Sequence, residues 1–318
     1  MEAGREAEAI ITVHDLTREF DGRRAVDGLD LSITPGELFG LIGPDGAGKT
    51  TTLRLLAGLL KVSHGEAQVA GFDLLSQPEE IKPRIGYMAQ EFSLYAELTV
   101  TENLLFFSDI YGVDPEKVNE RAERLLAFAG LQEFKSRRAQ HLSGGMKKKL
   151  ALACTLIHEP EILLLDEPTT GVDPVSRREF WEILTELNLS GTTILVSTPY
   201  MDEADRCERV GLIYDGRLII CDTPAAIRGK LPGEVLEIRP GDWRAARGVV
   251  TSLPGVHQVQ TYGEALHLIV DSAERRAGEI KAALMEKGIE VPDLNPVPPR
   301  MEEAFISLIH RIESGVQV

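Results

Sequence analysis

Cysteine is scarce in this chain, aromatics are few and positive charge is in the minority: three cysteines, 6% aromatic residues, and 34 Lys and Arg against 50 Asp and Glu. Cys154, Cys207 and Cys221 are odd in number and show neither C-x-x-C nor metal-like spacing, which excludes a disulfide framework or a zinc cluster and reads as reduced thiols. The formal net charge of −16 argues against nucleic acid as the main partner, because phosphate backbones demand a basic footprint. No uninterrupted run of about 18 apolar residues is present, so no membrane-spanning helix is expected. Met1-Glu2-Ala3-Gly4-Arg5-Glu6-Ala7-Glu8 carries no apolar signal-peptide core. The expectation is an intracellular chain that does not cross a membrane by itself. At 318 residues and 43% hydrophobic content, it is long and apolar enough for more than one domain.

Against that background, Gly43-Pro44-Asp45-Gly46-Ala47-Gly48-Lys49-Thr50 satisfies G-x-x-x-x-G-K-[ST]. The run Glu37 to Ile42 before it reads as a buried strand, and Leu53, Leu56, Ala57 and Leu60 after it fall at helical spacing. Strand, glycine loop and helix in that order predict a nucleoside triphosphate site. The loop backbone would turn its N–H groups toward a polyphosphate, Lys49 would reach the β and γ phosphates, and Thr50, with Thr51 beside it, would offer a hydroxyl to magnesium. Glu161-Ile162-Leu163-Leu164-Leu165-Asp166-Glu167 is an apolar run ending in two acids, suited to a central parallel strand that delivers carboxylates to the edge of a sheet. Asp166 would hold magnesium, and Glu167 would orient or deprotonate the attacking water. A third segment, Leu142-Ser143-Gly144-Gly145-Met146, opens a helix with Ser143 as N-cap and Met146, Leu150, Ala153, Cys154 and Ile157 on its apolar face.

That third segment resembles the LSGGQ signature of the ABC ATPases, with Met146 in place of the final Gln. The resemblance implies that Ser143, Gly144 and Gly145 reach the γ-phosphate of a nucleotide held by a second protomer. Lys147, Lys148 and Lys149 fit an anion there, since three cations in the first turns oppose the helix dipole. It implies further that Phe20 stacks on adenine, that Gln90 touches magnesium or the attacking water, and that Asp173, in Gly171-Val172-Asp173-Pro174, communicates across a dimer. Asp-Pro is also good chemistry for starting a helix. One position departs from the family: where it usually reads Ser-Thr-His, this chain has Ser197-Thr198-Pro199. Thr198 reads as an N-cap and Pro199 as the first helical residue. Proline has no donor for a phosphate, which shifts the burden to Glu167, with the Tyr200 hydroxyl as a substitute donor.

The fold class implied is α/β: a P-loop NTPase of ABC type over residues 1–230, with an antiparallel β subdomain and a helical subdomain at about 91–158, followed by a small α+β domain over 231–318. Strands are expected at Leu29 to Ile33 and Ala67 to Leu74, helices at Thr99 to Tyr111 and Pro115 to Ala129, a hairpin at Asp215-Gly216 and a linker at Lys230-Leu231-Pro232-Gly233. The C-terminal pattern is β-α-β-β-α-β, which suggests a ferredoxin-like domain. The resemblance implies an ATP-binding and ATP-hydrolysing subunit with ATP and Mg2+, peripheral on the cytoplasmic face of the membrane and paired with a second copy of this chain. It would energise a separate permease for export of drugs or other small molecules. Phe92, Leu94, Tyr95 and Leu98, next to Gln90, are the expected permease contact. The alternative, a soluble ABC-type ATPase acting on a macromolecular complex, is disfavoured by one Walker loop, one signature and no long coiled-coil insertion.

Overall fold

The computed structural model describes residues 9–91, 94–290 and 293–314; residues 1–8 and Phe92, both used above, lie outside them. The chain divides into two compact units between Thr223 and Pro224. The first opens with β1 (Ile11–Phe20) and β2 (Arg23–Ile33), an antiparallel pair. Next come β3 (Leu38–Ile42), α1 (Lys49–Leu56), β4 (His64–Val69) and β5 (Phe72–Asp73). After α2 (Pro78–Ile81) and β6 (Ile85–Met88) come the helices α3 (Val100–Ile110), α4 (Pro115–Phe128) and α5 (Gly144–Leu156), as expected for the insertion. Each starts where its cap chemistry dictates. Thr99 and Glu102 form a capping box on α3, Asp114 and Pro115 open α4, and the Ser143 hydroxyl accepts from Met146 N on α5. The chain continues through β7 (Ile162–Asp166), α6 (Pro174–Leu189), β8 (Thr193–Thr198), a 3-10 segment Met201–Arg206, β9 (Arg209–Tyr214) and β10 (Arg217–Asp222).

Two sheets result. The antiparallel one runs β2-β1-β4-β5, and the second, six-stranded, runs β10-β9-β3-β8-β7-β6 with only β10 antiparallel. Every residue of β3, β7 and β8 is buried, which is why these strands read as continuous apolar runs rather than alternating ones. Leu16 and Leu29 from one sheet, Phe39 and Leu164 from the other and Leu53 and Leu56 of α1 share a single core. Each such buried side chain contributes about 1.5–3 kcal/mol over an exposed one. The parallel order sets the C-terminal ends of β3, β8, β7 and β6 side by side, where ligands bind in open α/β sheets. Among the described residues no helix is long and apolar enough to cross a membrane.

The second unit contains α7 (Pro224–Gly229), β11 (Glu234–Ile238), α8 (Trp243–Val250), β12 (Val256–Tyr262), β13 (Ala265–Val270), α9 (Ala273–Glu286), β14 (Leu294–Val297) and α10 (Met301–Glu313). Its antiparallel sheet runs β12-β13-β11-β14, the strand order of a ferredoxin-like domain. Because α7 packs against α10, this unit begins before the predicted linker at Lys230 to Gly233. On β13, buried His267 lies 2.5 Å from a Glu303 carboxylate oxygen through Nδ1 and 3.0 Å from Glu237 through Nε2.

Candidate nucleotide-binding site

The glycine loop leaves β3 and turns directly into α1, and its glycines are required by space as well as by dihedral angle. A Cβ on Gly43 would stand 2.2 Å from Ile213 O, and Gly48 combines φ +110° with a Cβ position 2.5 Å from Ala25 O. Lys49, 3% exposed, donates through Nζ to the carbonyls of Gly43 at 2.9 Å and Pro44 at 3.0 Å. The same ammonium lies 3.2 Å from Glu167 Oε1, so two residues more than a hundred apart in sequence form a buried ion pair. Glu167 sits at φ +46°, a left-handed conformation that costs a non-glycine residue on the order of 1–3 kcal/mol. Its second oxygen accepts from Gln90 Nε2 at 2.9 Å and Thr170 Oγ1 at 3.3 Å.

Asp166 ends β7 in register with Ser197 on β8, and its Oδ1 accepts from Thr50 Oγ1 at 3.0 Å and Ser197 Oγ at 2.8 Å. The Ser197 hydroxyl also receives the Glu167 N–H at 3.1 Å. Ser197 was not singled out as a site residue from the sequence; its position as the first of the Ser-Thr-Pro triplet was the available signal. Tyr87, on β6, lies at the long distance of 3.5 Å from Asp166 Oδ2, and burial pushes its phenol upward in pKa. A cavity of about 190 Å³ lined by Gly46, Gly48, Lys49, Thr50, Gln90 and Glu167 lies over this cluster. Lys49, Thr50, Gln90, Asp166 and Glu167 therefore converge, as expected. Pro44, Asp45 and Ala47 complete the loop, and Ala47 N donates back to Pro44 O at 3.2 Å.

The lining suits a phosphate and a hard cation. A Cβ on Gly46 would meet nothing within 4 Å, so the loop is open there, and Lys49 on the same lining brings an ammonium group. Thr50 and Asp166 are oxygen donors, the kind magnesium prefers. Among the described residues no group of three or more His, Cys, Asp or Glu is placed to hold a metal ion. Magnesium here would rest on one hydroxyl, one carboxylate and the phosphates themselves.

Other expected site residues stand apart from this cavity. Phe20 closes β1, 41% exposed, with the Arg18 guanidinium 4.3 Å from its ring centroid. Ser143 and Gly144 are exposed at the start of α5, and Gly145 is buried against Ser176, whose Oγ would lie 2.4 Å from an added Cβ. The lysine triplet is largely answered within the chain rather than left for an anion: Lys148 Nζ donates to Gln90 O at 2.8 Å and Lys149 pairs with Glu179 at 2.6 Å. Burial lowers the Lys148 pKa. Asp173 caps α6, accepting from Val175 N at 3.1 Å and Ser176 N at 3.0 Å, bonds that hold its carboxyl below the usual range. Pro199 does not begin a helix as expected. The 3-10 segment starts at Met201, because Thr198 Oγ1 accepts from Tyr200 N at 3.0 Å and forms a tight turn first.

A groove of about 410 Å³ runs beside Gln90, lined by Leu94, Ala96, Ala139, Lys147 and Ala151 among others. Leu94 and Leu98 are half-buried, while Tyr95 is 47% exposed and packs its ring 4.2 Å from that of Phe106. Asn103, fully buried on α3, pins this stretch through Tyr95 N and the carbonyls of Tyr95, Leu98 and Thr99.

The profile of the ABC transporter family matches residues 26–170. The probable multidrug ABC transporter ATP-binding protein YbhF of Escherichia coli (strain K12) is 44% identical over 227 residues, which cover 71% of this chain and 39% of that protein's length. The daunorubicin resistance ATP-binding protein DrrA2 of Streptomyces coeruleorubidus is 34% identical over 305 residues, covering 94% of this chain and 95% of its own. Among solved structures, a dimeric bacterial ABC transporter cassette superposes with a TM-score of 0.61 at 29% identity, covering 67% of this chain and 98% of that one. With its glycine loop, paired acids and signature helix on this scaffold, the chain belongs to the family of nucleotide-binding ABC transporter ATP-binding proteins.

Proposed function

We propose that this chain hydrolyses ATP with magnesium, as a pair of protomers, to energise a separate membrane permease that exports drugs or other small molecules. The observation that carries the reading is the convergence of Lys49, Thr50, Gln90 and Glu167 on one cavity at the ends of β3, β6 and β7, with buried Asp166 bonded to Thr50 behind its wall. Names of relatives such as DrrA2 and YbhF support the drug-export direction. In this reading residues 43–51 cradle the phosphates and Phe20 stacks on the adenine. Ser143, Gly144 and Gly145 close the site of the opposite protomer, with Asp173 at the seam. The ATP-binding domain takes in residues up to Thr223, and the unit that begins at Pro224 forms an accessory domain.

Magnesium, held by Thr50 and Asp166 with Gln90 nearby, would neutralise charge developing on the phosphates. Lys49 exchanges Glu167 for phosphate oxygens when ATP arrives. That exchange frees the Glu167 carboxylate to take a proton from water, while Gln90 and Thr170, now its donors, hold its orientation. The groove beside Gln90 suits a permease segment, since Lys148 ties α5 to the Gln90 backbone and so links groove to site. The protein would then work on the cytoplasmic face of the membrane.

The reading is tested on the full chain. ATP turnover should rise with protein concentration, and mixing Lys49→Ala with Ser143→Arg chains should restore activity that neither parent has. A mixture as inactive as its parents would overturn the paired site. Co-purification with a polytopic membrane protein tests the permease.

A further inference from the structure

Three stretches adjoin the site: the loop after Glu167, the start of α6 to which that loop leads and which Asp173 caps, and the turn after Ser197 at the end of the neighbouring strand. One carboxylate joins them. Glu203, 1% exposed, accepts on Oε1 from Thr169 Oγ1 at 2.8 Å, Arg177 Nε at 2.6 Å and Trp181 Nε1 at 2.8 Å, and on Oε2 from Thr198 Oγ1 at 2.5 Å. Thr169 lies two residues beyond Glu167, Thr198 follows the serine that bonds both Asp166 and the Glu167 N–H, and Arg177 and Trp181 occupy the first two turns of α6. Arg177 extends the cluster outward: Nη2 bonds both Asp202 oxygens at 2.8 Å, and its guanidinium carbon stands 4.4 Å from the Tyr200 ring centroid.

A charge this deeply buried is tolerated because four donors answer it, and a fully satisfied buried network specifies one arrangement of the elements it joins. A mere structural filler would need only to exclude water. Here each donor comes from a segment that either holds a reacting group or opens α6, and Pro199 itself adds no polar side chain to this turn.

We propose that Glu203 is a positioning residue for hydrolysis, locking the Glu167 loop, the Ser197–Tyr200 turn and the start of α6 into one body so that a shift at Asp173 reaches the Glu167 carboxylate. The inference rests on the ATP-hydrolysis reading above. Glu203→Gln tests it with little change of shape: the amide oxygen keeps Thr169, Arg177 and Trp181, while the NH2 faces Thr198 and removes that acceptor.

Turnover by Glu203→Gln should fall about tenfold or more with the Kd for ATP, measured by fluorescent-nucleotide titration, and the thermal midpoint near wild type. A purely structural role would move binding and midpoint together with kcat. Thr198→Val, which deletes one hydroxyl of the network, should lower kcat in the same direction and decides the matter should Glu203→Gln fail to fold. Combined with Asp173→Ala, the losses should fall short of multiplying, as they must when two residues act through one coupling. A folded Glu203→Gln or Thr198→Val protein that turns over within twofold of an active wild type overturns the proposal alone. A wild type that binds ATP but never hydrolyses it overturns the functional reading beneath it.

Discussion

Replacing Glu167 by Gln should separate two properties that most site mutations lower together. The Glu167 carboxylate and the Lys49 ammonium are 3.2 Å apart with side chains 7% and 3% exposed. At an effective dielectric near 20, that separation corresponds to about 5 kcal/mol of attraction before desolvation is subtracted. ATP must compete with this pair for Lys49 and must bring its γ-phosphate toward a like charge. Neutralising Glu167 removes both obstacles. Lys49 stays oriented by the Gly43 and Pro44 carbonyls, so only part of the attraction is recovered. The expectation is ATP bound on the order of tenfold more tightly, about 1.4 kcal/mol. Turnover should fall by roughly 10²–10⁴, about 2.7–5.4 kcal/mol of barrier, the usual worth of a positioned general base. Equilibrium nucleotide titration and phosphate release measure the two quantities, and gel filtration with ATP and magnesium should show an accumulated dimer. Weaker ATP binding, or turnover within tenfold of wild type, would refute the competition between Lys49 partners and the role of Glu167 as base.

Pro199→Ala should leave turnover within about threefold, under roughly 0.7 kcal/mol, because the residue offers no donor and the turn is held by Thr198; loss of activity in a folded, ATP-binding variant would make proline geometry catalytic. Tyr200→Phe should be similarly mild, since the ring that packs beneath Arg177 is retained, and a drop of about a hundredfold would instead show its hydroxyl replacing an imidazole. Gly48→Ala should abolish nucleotide binding and cost about 1–3 kcal/mol of stability, read from denaturant midpoints, because φ +110° and the Ala25 carbonyl at 2.5 Å leave no room for a Cβ. Burial of His267 opposes its protonation, as does Arg300, whose guanidinium stacks on Tyr262; the bonds to Glu303 and Glu237 outweigh both and raise its pKa. A raised folded-state value stabilises below the unfolded pKa of about 6.5 and is lost as pH climbs through the folded one, so hydrogen exchange of α10, corrected for intrinsic rate, should lose protection on that climb. Protection that is flat from about pH 6 to 9, or the same dependence in His267→Gln, would rule this out.

The glycine loop, the apolar strand ending in Asp166-Glu167 and the Ser143 cap were legible in the sequence because each depends on neighbours in the chain: a dihedral angle, a buried strand, a helix start. The same holds for the Asp215-Gly216 hairpin, where φ values of 47° and 78° suit those two residues, and for the element order of the C-terminal unit. The lysine triplet misled because helix position alone cannot show that Lys149 meets Glu179 from another helix, or that Lys148 reaches a carbonyl beyond β6. Pro199 misled for a related reason: a proline suits the first turn of a helix, but the hydroxyl before it closed a turn of its own.

Glu203 shows where local reading stops. In Met201-Asp202-Glu203-Ala204-Asp205-Arg206 it is indistinguishable from its acidic neighbours, yet Asp202 is largely in solvent while Glu203 is 1% exposed with four donors. The sequence alone determined which chemical groups the protein owns and the local backbone that presents them, since period, cap and turn are short-range properties of the polypeptide. Tertiary structure alone decided that Lys49 pairs with Glu167, that Ser197 stands between Asp166 and the loop, and that Glu203 ties three segments together. Those contacts come from the strand order β3-β8-β7-β6, which sets side by side strand ends that lie far apart along the chain.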